Sequence, residues 1–236
     1  MHSYRRSMWM SDTIDIVLLT RIEYLVVGYF LAGAEVGYFA AAIVFAGLVG
    51  QMTFQLSPAF LVGLTARASS ENAAGPPSQL YRNSLRLTAL FIMPLGIGGA
   101  AVVGPLVPIV FGSDFAPAAN AAVLFLLASV PAGIAVVPWA FLASRAQGRV
   151  LMRVTLASAA LIFALLVAVV PVAGIYGAAG GRALSETLTL AFLLKAASNH
   201  GGSPIPWNAL LRTLAAAGAC GATAFAVTAL LPGIIG

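Results

Sequence analysis

The chain has 236 residues, of which 61% are hydrophobic and only 8% charged, and its mean hydropathy is +0.99. A water-soluble domain carries about 25% charged residues, so this composition describes an integral membrane protein. The net charge of +5 is explained by where the basic residues fall, as shown below, and gives no ground for a nucleic-acid partner; the single cysteine, Cys220, excludes an intrachain disulfide.

The opening MHSYRR has the basic start of a signal peptide, but Asp12 and Asp15 interrupt any uncharged apolar core, so no cleaved signal is expected. Long apolar runs that carry Gly and Pro internally then point to helices, because a membrane barrel would show short alternating segments. Seven spans are predicted, over residues 12–31, 37–64, 87–111, 118–143, 154–170, 173–194 and 209–231. They form a single all-α transmembrane lobe, with no separate soluble domain. The second and fourth exceed the roughly 20 residues that a bilayer needs, so tilt or kinking is expected. Pro58, Pro94, Pro105, Pro108, Pro131 and Pro138 supply causes for kinks.

The first span is the unusual one. It carries Asp12, Asp15, Arg21 and Glu23, and a rise of about 1.5 Å per residue puts Arg21 and Glu23 near mid-bilayer. A central charge costs roughly 2.5–3.5 kcal/mol on the insertion scale, and each Leu, Ile, Val or Phe returns only about 0.3–0.6. This helix is therefore expected to face other helices or a wet cavity, and charges at such depth are functional candidates. Arg21 and Glu23 are two apart and point to different faces, so they cannot pair with each other. Span two adds Gln51, Thr53 and Gln55; Gln51 and Gln55 share a face and either line a wet cleft or bond between helices. In span six Arg182 and Glu186 are four apart, close enough to pair with each other. Gly96, Ala100 and Gly104, and Gly177 with Gly181, have the spacing of close helix contacts.

The connections alternate in charge. Arg5 and Arg6 precede span one. Arg67, Arg82 and Arg86, then Arg145, Arg149 and Arg153, then Lys195 and Arg212 flank every second connection. The intervening ones hold only Glu35 and Asp114. This positive-inside pattern puts the N-terminus in the cytoplasm and the C-terminus outside. Residues 66–85 read as a flexible loop followed by a short basic interfacial helix. No catalytic constellation, metal cluster or P-loop is visible, so no enzymatic activity and no cofactor is expected. Any flux would follow a gradient or the membrane potential, and a buried carboxyl such as Glu23 could bind and release a proton.

Four segments carry a resemblance: RIEYLVVGYFLAGAEVGYFAAA (21–42), YRNSLRLTALFIMPLGI (81–97), VFGSDFAPAANAAVLFLLASV (110–130) and VAGIYGAAGGRALSE (172–186). In order and spacing they resemble the second half of the polysaccharide-flippase branch of the multidrug/oligosaccharidyl-lipid/polysaccharide exporter superfamily. In that family the acidic position of the first of these spans is usually Asp followed by a base. Here Glu23 keeps the acid and Tyr24 replaces the base. The resemblance implies one lobe of a two-lobed, fourteen-span flippase of a bacterial inner membrane, with an N-terminal lobe missing from this chain, as in a C-terminal fragment or a gene read from an internal Met. It also implies membrane lipids and a lipid-linked oligosaccharide of the undecaprenyl-diphosphate type as partners. On that expectation Arg21 and Arg182 attract the diphosphate, Glu23 titrates or gates, Gln51 and Gln55 contact sugar hydroxyls, and Glu186 sits beside Arg182. Two other expectations stay open: a cation-coupled multidrug exporter of the same superfamily, and a non-transporting membrane scaffold or inert fragment.

Overall fold

A computed structural model describes residues 20–69, 77–202 and 204–230. Every element among them is helical: α1 (Thr20–Phe30), α2 (Gly33–Ser69), α3 (Pro77–Met93), a π-helical turn (Pro94–Gly98), α4 (Gly99–Phe111), a 3-10 turn (Ser113–Ala118), α5 (Ala119–Ser144), α6 (Gly148–Asn199) and α7 (Trp207–Leu230). The protein is an all-α, multi-pass membrane protein. Five stretches are long and apolar enough to cross a bilayer: Gly33–Thr53, Gln79–Phe111, Ser113–Ser144, Gly148–Asn199 and Trp207–Ala226.

The fourth stretch is two spans folded on each other. Its 52 residues would reach roughly 78 Å if straight, more than twice a hydrocarbon core of about 30 Å. The helix breaks at Gly174, where φ is 57° and ψ is −139°. The arms on either side, residues 148–173 (α6a) and 175–199 (α6b), run antiparallel. Ser158 and Thr189 hydrogen-bond across them at 2.7 Å. A Cβ on Gly177 would meet the Val169 carbonyl oxygen at 2.7 Å, and one on Gly181 would meet Leu165 at 3.5 Å. The absence of a side chain at Gly177 lets the arms close next to the turn, whereas the space beside Gly181 would admit a methyl group.

With the arms counted separately, the described residues hold six spans, against the seven expected. The difference lies in the first. Residues 12–19 are outside the described part, and what is described, α1, is only 11 residues long. A second correction concerns the expected interfacial helix before span three. The helix begins at Pro77 and runs without a break to Met93, so the basic segment is the first turns of the span itself. At Pro94, which has no N–H for the helical ladder, the chain widens into the π turn. That turn rests on α5 so closely that a Cβ on Gly96 would collide with Val130. Ala100 is buried in the same contact region, whereas Gly104 has nothing within 4 Å and does not share it.

The two ends of the bundle differ in charge. At one end Arg145 lies 5.2 Å over the Phe141 ring and reaches Gly201, while Tyr81 packs on Phe141 at 4.7 Å. These contacts bring the start of α3, the α5–α6 turn and the α6–α7 connection together, and with them Arg82, Arg86, Arg149, Arg153, Lys195 and Arg212. At the other end Tyr38 meets Phe115 at 5.8 Å, and the Glu35 carboxylate comes within 3.9 Å of the space beside Gly174. This end holds Glu35 and Asp114 and, among the described residues, no Lys or Arg in its turns. Two apolar clusters match the two ends: one built around Phe39, Phe125 and Val170, the other around Tyr81, Phe141 and Leu193. The helix α5 runs through both and carries most of the contacts between helices.

The hinge is testable. Positive φ with strongly negative ψ is open only to glycine, and a side chain there costs about 1–3 kcal/mol. Gly174→Ala should lower the melting temperature of the detergent-solubilised protein by several degrees, whereas Gly104→Ala should not. Equal melting temperatures for the two variants would contradict the hinge geometry.

Candidate functional site

The acid of α1 has a partner on α6b. Arg182 donates from Nη1 to Glu23 Oε2 at 2.7 Å. The Glu23 side chain is 6% exposed and that of Arg182 31%. Arg182 Nε also stands 4.0 Å from Glu186 Oε1, one helical turn further on. The guanidinium therefore lies between two carboxylates, with its strong bond to the distant one in sequence and only a long contact with its helical neighbour. Removing one member of a buried pair leaves an uncompensated charge, at a cost of about 3–5 kcal/mol. The pair therefore fixes where α1 stands on α6b. An aromatic chain supports it: Tyr24 packs edge-on against Phe39 at 5.1 Å, and Phe39 against Phe125 at 5.5 Å, joining α1, α2 and α5.

Depth follows from helix rise. Arg182 is eight residues past the Gly174 turn, and Glu23 is nine before Ala32. At about 1.5 Å per residue both lie roughly 12–14 Å in from the end that lacks basic residues, near the middle of the core.

The ion pair opens on a cleft of about 700 Å³ walled by α1, α2, α5 and both arms of α6. Its walls are mostly apolar, with the Tyr24 phenol and six aliphatic hydroxyls set into them: Thr53, Ser129, Thr155, Ser158, Ser185 and Thr189. Leu151, Leu193 and the half-buried Trp139 line the part toward the basic end. Gly133 also lines it; a Cβ there would press on Ile92 at 2.7 Å and on the Thr53 hydroxyl at 3.2 Å. Three hydroxyls donate into their own helices: Thr53 to the Val49 carbonyl at 2.9 Å, Ser129 to Leu126 at 2.6 Å, and Thr189 to Ser185 at 2.8 Å. Among the described residues no cluster of three or more His, Cys, Asp or Glu is placed to hold a metal ion.

The structure brings together Glu23, Arg182 and Glu186 out of the six candidates read from the sequence. Gln51 and Gln55 are exposed and do not line the cleft. Thr53 lines it instead, because residues two apart on a helix are about 200° around from each other. The Arg21 side chain lies outside the described residues. The hydroxyls of α5 and α6 were not singled out from the sequence. A signal for two of these five exists: Arg182, Ser185, Glu186 and Thr189 are spaced i, i+3, i+4, i+7, a polar stripe along one face of an otherwise apolar helix.

A family profile described as "polysaccharide biosynthesis protein" matches residues 1–120, just over half of the chain. No curated protein and no solved structure matches.

The coupling between Glu23 and Arg182 can be measured without knowing a ligand. Arg182→Ala, which strands the Glu23 carboxylate, should destabilise the protein by about 3–5 kcal/mol, and Glu23→Gln by less. A double-mutant cycle in detergent unfolding should give an interaction of roughly 1–3 kcal/mol. Additive losses would mean that the two side chains do not act as a pair.

Proposed function

Since the chain belongs to the polysaccharide biosynthesis protein family, we propose that it moves lipid-linked polysaccharide precursors across a bacterial inner membrane. The observation that carries this reading is a charge pair near mid-membrane opening on a hydroxyl-lined cleft within a bundle of spans. A volume of about 700 Å³ falls in the range of sites that bury a small ligand, so the cleft suits the headgroup of a lipid-linked precursor of the undecaprenyl-diphosphate type better than a polymer. Arg182 serves the diphosphate. Nη1 bonds Glu23 and Nε faces Glu186, while Nη2 takes part in neither contact and can donate to a phosphate oxygen.

The two carboxylates and one guanidinium carry a net charge of −1 when all are ionised. Holding an anion then requires Glu186 to turn away or to take up a proton, which makes it the gating member of the three and Glu23 the anchoring one. The basic end of the bundle faces the cytoplasm by the positive-inside rule, with the start of α1 on that side and the end of α7 on the other. A second lobe completes the passage, since a site that opens alternately to two sides needs two bodies to move against each other. Transport without covalent chemistry fits this arrangement. The negative balance of the triad also favours a second reading, an exporter of cationic drugs.

Deletion and complementation separate the readings. Arg182→Ala and Glu23→Gln should each cut surface glycan at least roughly tenfold at normal protein level, the cost expected when a charged hydrogen bond to a ligand is lost. Gln51→Ala should export normally. Full glycan export by Arg182→Ala would overturn the proposal, and altered drug susceptibility with unchanged glycan would favour the exporter of cations.

A further inference from the structure

The hydroxyls in the cleft have a shared orientation of bonding. Thr53 and Ser129 spend their protons on carbonyls of their own helices, and Thr189 spends its proton on Ser185. In the 2.7 Å contact between Ser158 and Thr189 the donor must then be Ser158, because the Thr189 proton is already committed. A hydroxyl has one proton and two lone pairs. These four side chains therefore have no proton left to give and can offer a ligand only lone pairs. Ser158, Thr189, Ser129 and Thr53 stand on three different helices, so these acceptors do not belong to one face of the cleft.

An acyl chain against that wall would leave this acceptor capacity unused. A carboxylate would set lone pairs against lone pairs, in a cleft that already holds Glu23 and Glu186. A polyol satisfies the wall, since every sugar hydroxyl brings a proton. Beyond the hydroxyls, toward the basic end, the half-buried Trp139 lines the same cleft. An indole face is flat, apolar and electron-rich, the surface on which the C–H face of a sugar ring rests.

Resting on the reading above, we propose that the cleft holds a saccharide subsite, formed by Trp139 and the acceptor hydroxyls of Thr53, Ser129, Ser158 and Thr189, that selects neutral, hydroxyl-rich sugars over acidic ones. The diphosphate lies at Arg182 and the sugar extends from it toward the basic end. Trp139 is the specificity-determining residue. Phosphate affinity and sugar preference thus come from separate groups and can be lost separately.

Binding to the purified full chain in detergent tests this with three probes: a short-chain prenyl diphosphate, the same lipid bearing one neutral hexose, and the same lipid bearing the matching uronic acid. The hexose probe should bind about tenfold tighter than either of the others, the worth of one aromatic platform with its hydrogen bonds. Trp139→Ala should erase that preference and leave the affinity for the bare diphosphate unchanged, which also shows that the variant is folded. Trp139→Phe should keep it. In a variant whose Trp9 and Trp207 are replaced by Phe, the emission of Trp139 should shift with the hexose probe only. If all three probes bind alike and all depend on Arg182, the saccharide subsite is wrong and the diphosphate reading stands. Tighter binding of the uronic acid also overturns the subsite. If none of the three binds, both proposals fall.

Discussion

A carboxylate cannot stand alone in hydrocarbon, and the protein is arranged around that constraint. Glu23 is carried into the membrane by α1, whose Val26 and Val27 are buried in the apolar core. What holds its carboxylate is Arg182, and Arg182 is in reach only because α6 reverses at Gly174. Had the 52 residues continued straight, α6b would point away from the bundle and the acid would face lipid. One glycine conformation thus sets an ion pair, and the ion pair sets the position of a helix.

The same constraint explains why the interior is not filled. Two apolar clusters close the ends of the bundle, and the cleft lies along the helices that join them. Between helices in a membrane, burying apolar surface gains little over leaving it in lipid, so close contacts depend on small residues and on hydrogen bonds. Gly96 and Gly177 give contacts of the first kind, where backbones touch. The second kind is the Ser158–Thr189 bond between the arms of α6. Where neither operates, as beside Gly47 and Gly50, where an added Cβ would meet nothing within 4 Å, the helices stand apart and the cleft remains. Its hydroxyls are satisfied internally, which keeps the apolar wall intact without a ligand and leaves acceptor capacity unused.

Much of this was legible in the residues. Class, helical character and most span positions followed from hydropathy, and the alternation of Arg and Lys correctly grouped the turns that meet at each end. Glu23 stood out because a charge in an apolar run is costly wherever it folds. Its partner did not. Arg182 has a carboxylate four residues away in Glu186, and local spacing favours that pair; the bond to Glu23 depends on a contact 159 positions apart, which no periodicity encodes. Gln51 and Gln55 drew attention by polarity, yet the smaller Thr53 between them faces the cleft. A long amide can reach outward, whereas a hydroxyl that bonds its own helix can be buried at little cost. The expected spans 154–170 and 173–194 put the break at residues 171–172, but the helix runs through Pro171 and turns at Gly174, where the required backbone angles exclude a side chain. The count of seven spans rested in part on residues 12–19, which lie outside the described structure.

The claim on which the account depends most is that the charge pair looks into water. Cysteine substitution with a membrane-impermeant thiol reagent, in a background with Cys220 replaced by Ser, reads this directly. Ser185→Cys and Ser129→Cys, on the cleft wall, should be labelled in intact membranes, whereas Ala178→Cys and Leu166→Cys, equally buried but away from the cleft, should not. If Ser185→Cys and Ser129→Cys resist the reagent as fully as those two controls, the cleft is dry and the ion pair is only a structural clamp.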